Sequence, residues 1–183
     1  MRLASRWITP GLTRCLAGVS VAVLIGLVVE GAVGAPDAFA QDTTADTAPE
    51  VTLPRELLSI GTRAGGRYRF TVEVATTMAQ QARGLMFRRT LATDAGMLFV
   101  EQFPRTMTMW MENTLIPLDM LFIDRQGQIV NIAERATPLS QDTIPSAGPV
   151  IAVLELNGGT AARLGIRAGD HVVTPSLAAT TAR

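Results

Sequence analysis

Between Trp110 and Asp124 the chain reads Trp-Met-Glu-Asn-Thr-Leu-Ile-Pro-Leu-Asp-Met-Leu-Phe-Ile-Asp, and no other stretch constrains the fold as tightly. Pro117 lacks an amide hydrogen and pushes Ile116 toward extended geometry. The run is therefore expected to end one strand near Trp110 to Pro117, turn a corner, and begin a new apolar strand from Leu118 to Ile123. Asp119 then falls inside an element that reads as buried. An unpaired carboxylate there would be costly or would take up a proton, so Asp119 must be hydrogen-bonded, paired or used.

The amino end has a different character. Arg2, Arg6 and Arg14 precede an uncharged apolar run of 14 residues, Leu16 to Val29, and Ala38-Phe39-Ala40 places small residues where a signal peptidase reads them. Residues 1–40 are expected to be a signal peptide cut before Gln41, giving an exported protein of the periplasm or the extracellular space. Retention as a membrane anchor is the alternative. The run spans about 21 Å, against a hydrocarbon core of about 30 Å, which favours cleavage and no lasting membrane insertion. The single cysteine, Cys15, precedes the apolar run, so the processed chain would have neither disulfides nor a lipidated thiol and must be held by its core.

Residues 41–183 contain 13 arginines, no lysine and 14 acidic residues, a net charge of 13 − 14 = −1 with no basic run. A nucleic-acid partner is not expected. Residues 41–52, rich in Thr, Ala, Asp and Pro, read as a flexible linker. One globular domain of 53–175 and a disordered tail, 176–183, complete the expected organisation.

Within the domain, Leu57 to Thr62 predicts a short strand and Gly65-Gly66 a turn. Tyr68, Phe70, Val72 and Val74 alternate with polar residues as a half-buried strand does. Thr77 with Gln80 fits a capping box opening a helix that ends near Arg88, with Met78, Ala82, Leu85 and Met86 at helical spacing. Gly96 to Val100 is a brief strand. Met107, Met109 and Met111 alternate with Thr106, Thr108 and Trp110, placing three thioethers on one face of an extended segment. Asp124 to Gly127 predicts a tight hairpin returning through Gln128 to Ala133. Ala136 to Pro149, with three prolines, reads as an ordered surface loop. Val150 to Leu156 is a buried strand interrupted by Glu155, Thr160 to Leu164 a short helix closed by Gly165, and His171 to Thr174 the last strand.

Five blocks together resemble one family. Arg83 to Arg88, Gly96 to Phe99, Trp110 to Asp119, Val153 to Leu156 and Gly165 to Asp170 stand in the order and spacing of domain-of-unknown-function family 192, over about residues 57–175. Glu112, where that pattern usually has lysine or a similar polar residue, and Met107 and Met109 depart from it. The resemblance implies a compact, mostly antiparallel β fold of sandwich or jelly-roll type with short helices. It implies no activity and no site residues. The expected class is thus mainly β (α+β), an antiparallel β-sandwich or jelly-roll-like barrel with two short helices.

The function favoured by these residues is a monomeric, non-enzymatic module that binds a small ligand or an envelope component. It would use the surface of Trp110, Asn113, Thr114 and Asp119 with the proline-rich loop, and Glu155 and Arg88 are further candidates. No catalytic set, metal set or cofactor is expected. Two alternatives stand beside it. Asp119 with Glu155 or His171 could serve as the acid and base of a hydrolase, because burial raises carboxyl pKa values into a useful range. Met107, Met109 and Met111 could bind Cu(I), which prefers soft thioethers and which an exported domain would meet. Each has a simpler counterpart. An aspartate after proline often accepts backbone amides, a glutamate near a strand end can pair with arginine, Asn113 and Thr114 can satisfy a turn, and Trp110 can be core. His171 is the only histidine, so neither a Ser-His-Asp triad nor a multi-histidine zinc site is readily assembled.

Overall fold

The computed structural model describes residues 52–181; the expected leader, its cut before Gln41, nearly all of the linker and the last two residues lie outside them. β1 (Arg55–Gly61) and β2 (Arg67–Ala75) form an antiparallel hairpin, with Phe70, Val72 and Val74 buried as their alternation requires. A capping box at Thr77, reciprocated by Gln80, opens α1 (Met78–Arg83). Then come β3 (Ala95–Arg105), the two-residue β4 (Thr108–Met109), β5 (Leu118–Ile123), β6 (Ile129–Ala136), the two-residue β7 (Ile144–Pro145) and β8 (Val150–Asn157). The chain ends through α2 (Thr160–Leu164), β9 (His171–Val173) and α3 (Pro175–Thr181).

Seven strands make one sheet in the order β6-β5-β8-β3-β2-β1-β9, and β4 pairs separately with β7. Neighbours in the large sheet are antiparallel except β2 and β3, which run parallel with α1 in their connection. The sheet curls until its edges meet: Val172 N donates to Gly127 O at 2.7 Å, Ile129 N to Asp170 O at 2.9 Å, and Gln128 bridges His171. This closure leaves β6 and β9 no long free edge. It depends on the β5–β6 hairpin, where Gly127 sits at φ 83° and Asp124 Oδ1 accepts from the amides of Gln126 and Gln128.

The barrel has two hydrophobic cores. Its interior holds Leu58, Ile60, Val72, Leu98, Leu121 and Leu154 with their neighbours. The second core lies against the outer face of β3, β5 and β8, where Met97, Phe99, Met120, Phe122 and Val153 are covered by Leu85, Met107 and Met111 from the long connections. β5 and β8 are therefore buried on both faces, and only then does an uninterrupted apolar run make sense in a strand.

The mainly β class and its barrel form agree with the sequence expectation, with three short helices in place of two. The additional one is α3, where a disordered tail was expected. Leu177 buries into the barrel core, and the hydroxyls of Thr174 and Ser176 donate to the Glu56 carboxylate. α1 ends at Arg83 instead of near Arg88, and it buries none of its residues; Met78 is 88% exposed. The methionine segment pairs as a strand only at Thr108–Met109, yet its alternation persists, with Met107 and Met111 buried and Thr106, Thr108 and Trp110 exposed.

Candidate functional site

Asp119 and Glu155 lie on neighbouring strands, but the register separates them. Met120 stands directly opposite Glu155, and Asp119 opposite Leu156. Side chains directly opposite share a face and consecutive ones do not, so the two carboxyls project from opposite faces of the sheet. The acid–base pair suggested by the sequence is not formed. Nor does His171 supply the missing partner. It is exposed beside the hairpin that follows β5, whereas Asp119 is near the start of that strand.

The Asp119 carboxylate is wholly engaged by backbone. Oδ1 accepts from Arg135 N and Gly159 N, both at 2.8 Å, and Oδ2 from Ala161 N at 2.7 Å. These contacts pin the end of β6 and the start of α2 to the mouth of the barrel, and Asp119 is 0% exposed. Its burial is explained by three charge-assisted hydrogen bonds.

Glu155 is the opposite case. It is 4% exposed and flanked across the sheet by Met97 on β3 and Met120 on β5, both fully buried. Among the described residues nothing counters its desolvation, which pushes the carboxyl up to about 8 and leaves it protonated at neutral pH. It opens onto a cavity of about 140 Å³. Gln81 to Met86 form one wall, Met107 to Trp110 the other, and Phe99, Arg105 and Thr114 complete the lining.

Local structure explains how these residues meet. Gly84, at φ 47°, ends α1 and turns the chain, and a Cβ there would come within 3.2 Å of Phe99 Cζ. Leu85 thereby enters the second core while Met86 reaches the cavity. Phe87 and Asn113, two side-chain-bearing residues at φ 65° and 54°, are joined at the rim by Phe87 N donating to Asn113 O at 2.8 Å. Such conformations are uncommon for non-glycine residues and persist where surrounding contacts impose them. The proline-rich loop does not line the cavity; it supports the methionine segment from behind through the β4–β7 pair and through Met111 N donating to Ser140 O.

Of the residues singled out from the sequence, Trp110, Thr114 and Glu155 come together at this cavity. Trp110 is 52% exposed and so part of its mouth rather than core. Asn113 is on the rim, its amide 4.0 Å from the Met86 sulfur. Arg88 is turned away, its two nitrogens 2.6 and 3.1 Å from the Glu73 carboxylate on β2. That grip, opposed by partial burial and aided by Arg55, holds Glu73 below its ordinary range. Met107 and Met109 reach the cavity; Met111 does not. Arg83, Met86, Phe99 and Arg105 were not foreseen as site residues. The two arginines have partners at hand: the Arg83 guanidinium lies 4.6 Å from the centroid of Phe87, and Arg105 bonds Glu101 at 2.8 Å. Among the described residues no three His, Cys, Asp or Glu side chains are grouped as a metal site.

A small curled β-barrel carrying an external cavity over one buried carboxyl group is the class of protein these features define. The chain belongs to the family of domains of unknown function 192 (DUF192, "Uncharacterized ACR"), whose model matches residues 60–174. It is similar to the crystal structure of a proposed transcription regulator from Sinorhizobium meliloti 1021, at 45% identity over 69% of this chain and 98% of that one, with a TM-score of 0.68. A protein of unknown function from Novosphingobium aromaticivorans DSM 12444 is similar at 45% identity over 68% of this chain and 89% of that one, TM-score 0.66. No curated protein matches the chain.

Proposed function

We propose that this protein is a non-catalytic binding module whose small ligand, free or borne by an envelope component, enters the cavity over Glu155. One observation carries this reading. Four of the five blocks that mark the sequence as family-like, separated by up to about seventy residues, place Arg83 to Met86, Phe99, Trp110, Thr114 and Glu155 around one small space. A fold needs no buried ionisable group beside an empty space, and replacing Glu155 with an apolar residue would remove a desolvation cost. A ligand that bonds the carboxyl would offset that cost. The name of the Sinorhizobium relative would suggest a nucleic-acid partner; a net charge of −1 over residues 41–183, without a basic run, argues against that partner here.

Thermal unfolding of the full chain against small molecules, glycans and peptides tests the proposal. Ligand at ~100 times its dissociation constant adds about 2.7 kcal/mol, a readily measured rise in midpoint. The rise should vanish in Glu155→Gln. A rise that survives Glu155→Gln and Trp110→Ala unchanged would place binding elsewhere.

Export forms part of the same proposal, with cleavage before Gln41 delivering the domain to the periplasm or the extracellular space. A bulky residue in place of Ala40 should leave a longer, membrane-held precursor. Finding the amino terminus at Gln41 in that variant would refute the cut.

A further inference from the structure

The methionines are unevenly distributed. The chain has eight. The barrel interior contains none, whereas the second core contains Met97, Met107, Met111 and Met120, with Met109 packed against it. Met86 lines the cavity as well. Methionine used merely to fill irregular gaps has no reason to avoid one core and crowd the other. What distinguishes the crowded core is Glu155, which has thioethers on both sides across the sheet and further thioethers over it.

We propose that this cavity binds a soft monovalent metal ion, Cu(I) or Ag(I), through the sulfurs of Met86, Met107 and Met109, with the Glu155 carboxylate supplying the fourth donor and the only negative charge. It rests on the cavity being the binding site and names the class of ligand. Thioethers are soft, uncharged donors that select Cu(I) over hard cations. A monovalent ion with three of them and one carboxylate makes a neutral complex, which an apolar core tolerates; a divalent ion would leave a buried positive charge. The ion takes the place of the carboxyl proton, which leaves to solvent, and no electron is transferred. The Arg83 guanidinium stacks on Phe87 and Arg105 is countered by Glu101, so the two nearby cations are engaged at the rim.

The test titrates full-length protein carrying Cys15→Ser, which removes the one competing thiol, ¹³C-labelled at the methionine methyls, with Ag(I), a probe without redox chemistry, and with Cu(I) kept reduced by ascorbate without oxygen. The expected result is one ion per chain, shifts at the methyls of Met86, Met107 and Met109, and none at exposed Met78. Met107→Leu with Met109→Leu conserves volume and should fold, yet affinity should fall at least ~10-fold, the smallest loss expected when even outer-shell support is removed. If that pair unfolds the protein, Met86→Leu on the partly exposed wall gives the same comparison. Shifts confined to Met78, or affinity unchanged in these variants, would overturn the metal site. A small organic compound that raises the midpoint through Glu155 while Ag(I) and Cu(I) fail to bind would also overturn it and leave the cavity reading standing. Failure of both would remove both.

Discussion

Asp119 and Glu155 are carboxyl groups in adjacent strands buried on both faces, one step apart in register, and the barrel treats them in opposite ways. Asp119 faces the end of the interior, where strand β6 and helix α2 bring three amides to it. Glu155 faces the outer core, where its cross-strand neighbours are thioethers and burial alone raises its pKa to about 8. Equal burial therefore implies different roles. One carboxylate is consumed in joining elements, while the other faces a cavity.

The largest expected effect breaks the structural half of that comparison. Asp119→Ala leaves three backbone amides without an acceptor, at roughly 1 to 3 kcal/mol each, so a loss of about 3 to 9 kcal/mol is expected. That is a large share of a total stability of about 5 to 15 kcal/mol. Denaturant unfolding measures it, and a loss below about 1 kcal/mol would show that other groups replace the carboxylate.

Phe122→Ala calibrates the outer core. Phe122 is 0% exposed on the face of β5 that Glu155 shares, and its truncation should cost about 3 to 5 kcal/mol. If the cost were near 1 kcal/mol, the outer core would be a loose cover rather than part of the fold, and the burial of Glu155 would lose its meaning.

Glu155 sharpens the other half through pH. Its folded pKa, about 8, lies above the ordinary glutamate value of 4.5. The folded state therefore binds the proton more tightly, and the associated stability is fully present below about pH 4.5. It declines by about 1.4 kcal/mol per pH unit as pH rises toward 8 and is lost above that. Glu155→Gln removes the dependence. Unfolding free energies of parent and variant, compared from pH 5 to 8.5, should diverge in favour of the variant, and parallel curves would mean that the carboxyl is already solvated.

The same contrast explains what could be read in advance. The alternation of Phe70, Val72 and Val74, the Thr77 capping box and the Asp124 hairpin are local patterns and appear where local chemistry places them. Helix α3 was not legible, because its order comes from Leu177 docking in a barrel core and from Glu56, over one hundred residues away. The corner chemistry of Asp119 was visible in a carboxylate following proline. Glu155 could be seen as anomalous within an apolar strand, but its face depends on the β5–β8 register, which single-strand patterns do not specify. Met86 and Phe99 escaped notice because ordinary core residues become cavity walls only after Gly84 turns the chain between them.

The smallest expected effect on stability concerns Trp110. A tryptophan in an apolar run would ordinarily be core, and its truncation would then cost about 3 to 5 kcal/mol. Here it is 52% exposed at the mouth of the cavity, across from α1's last turn. Trp110→Ala should cost about 1.5 to 2.5 kcal/mol, half the core value because about half of the ring is already in water, moving the unfolding midpoint by several degrees. Binding should respond differently: an aromatic ring at the mouth of a small site shields the ligand, so the ligand-induced rise in midpoint should shrink in this variant. A large intrinsic loss of stability would return Trp110 to the fold and move the mouth of the site elsewhere. A small intrinsic change with a weakened ligand response would place Trp110 with Glu155 and against Asp119, on the side of the barrel that carries the cavity.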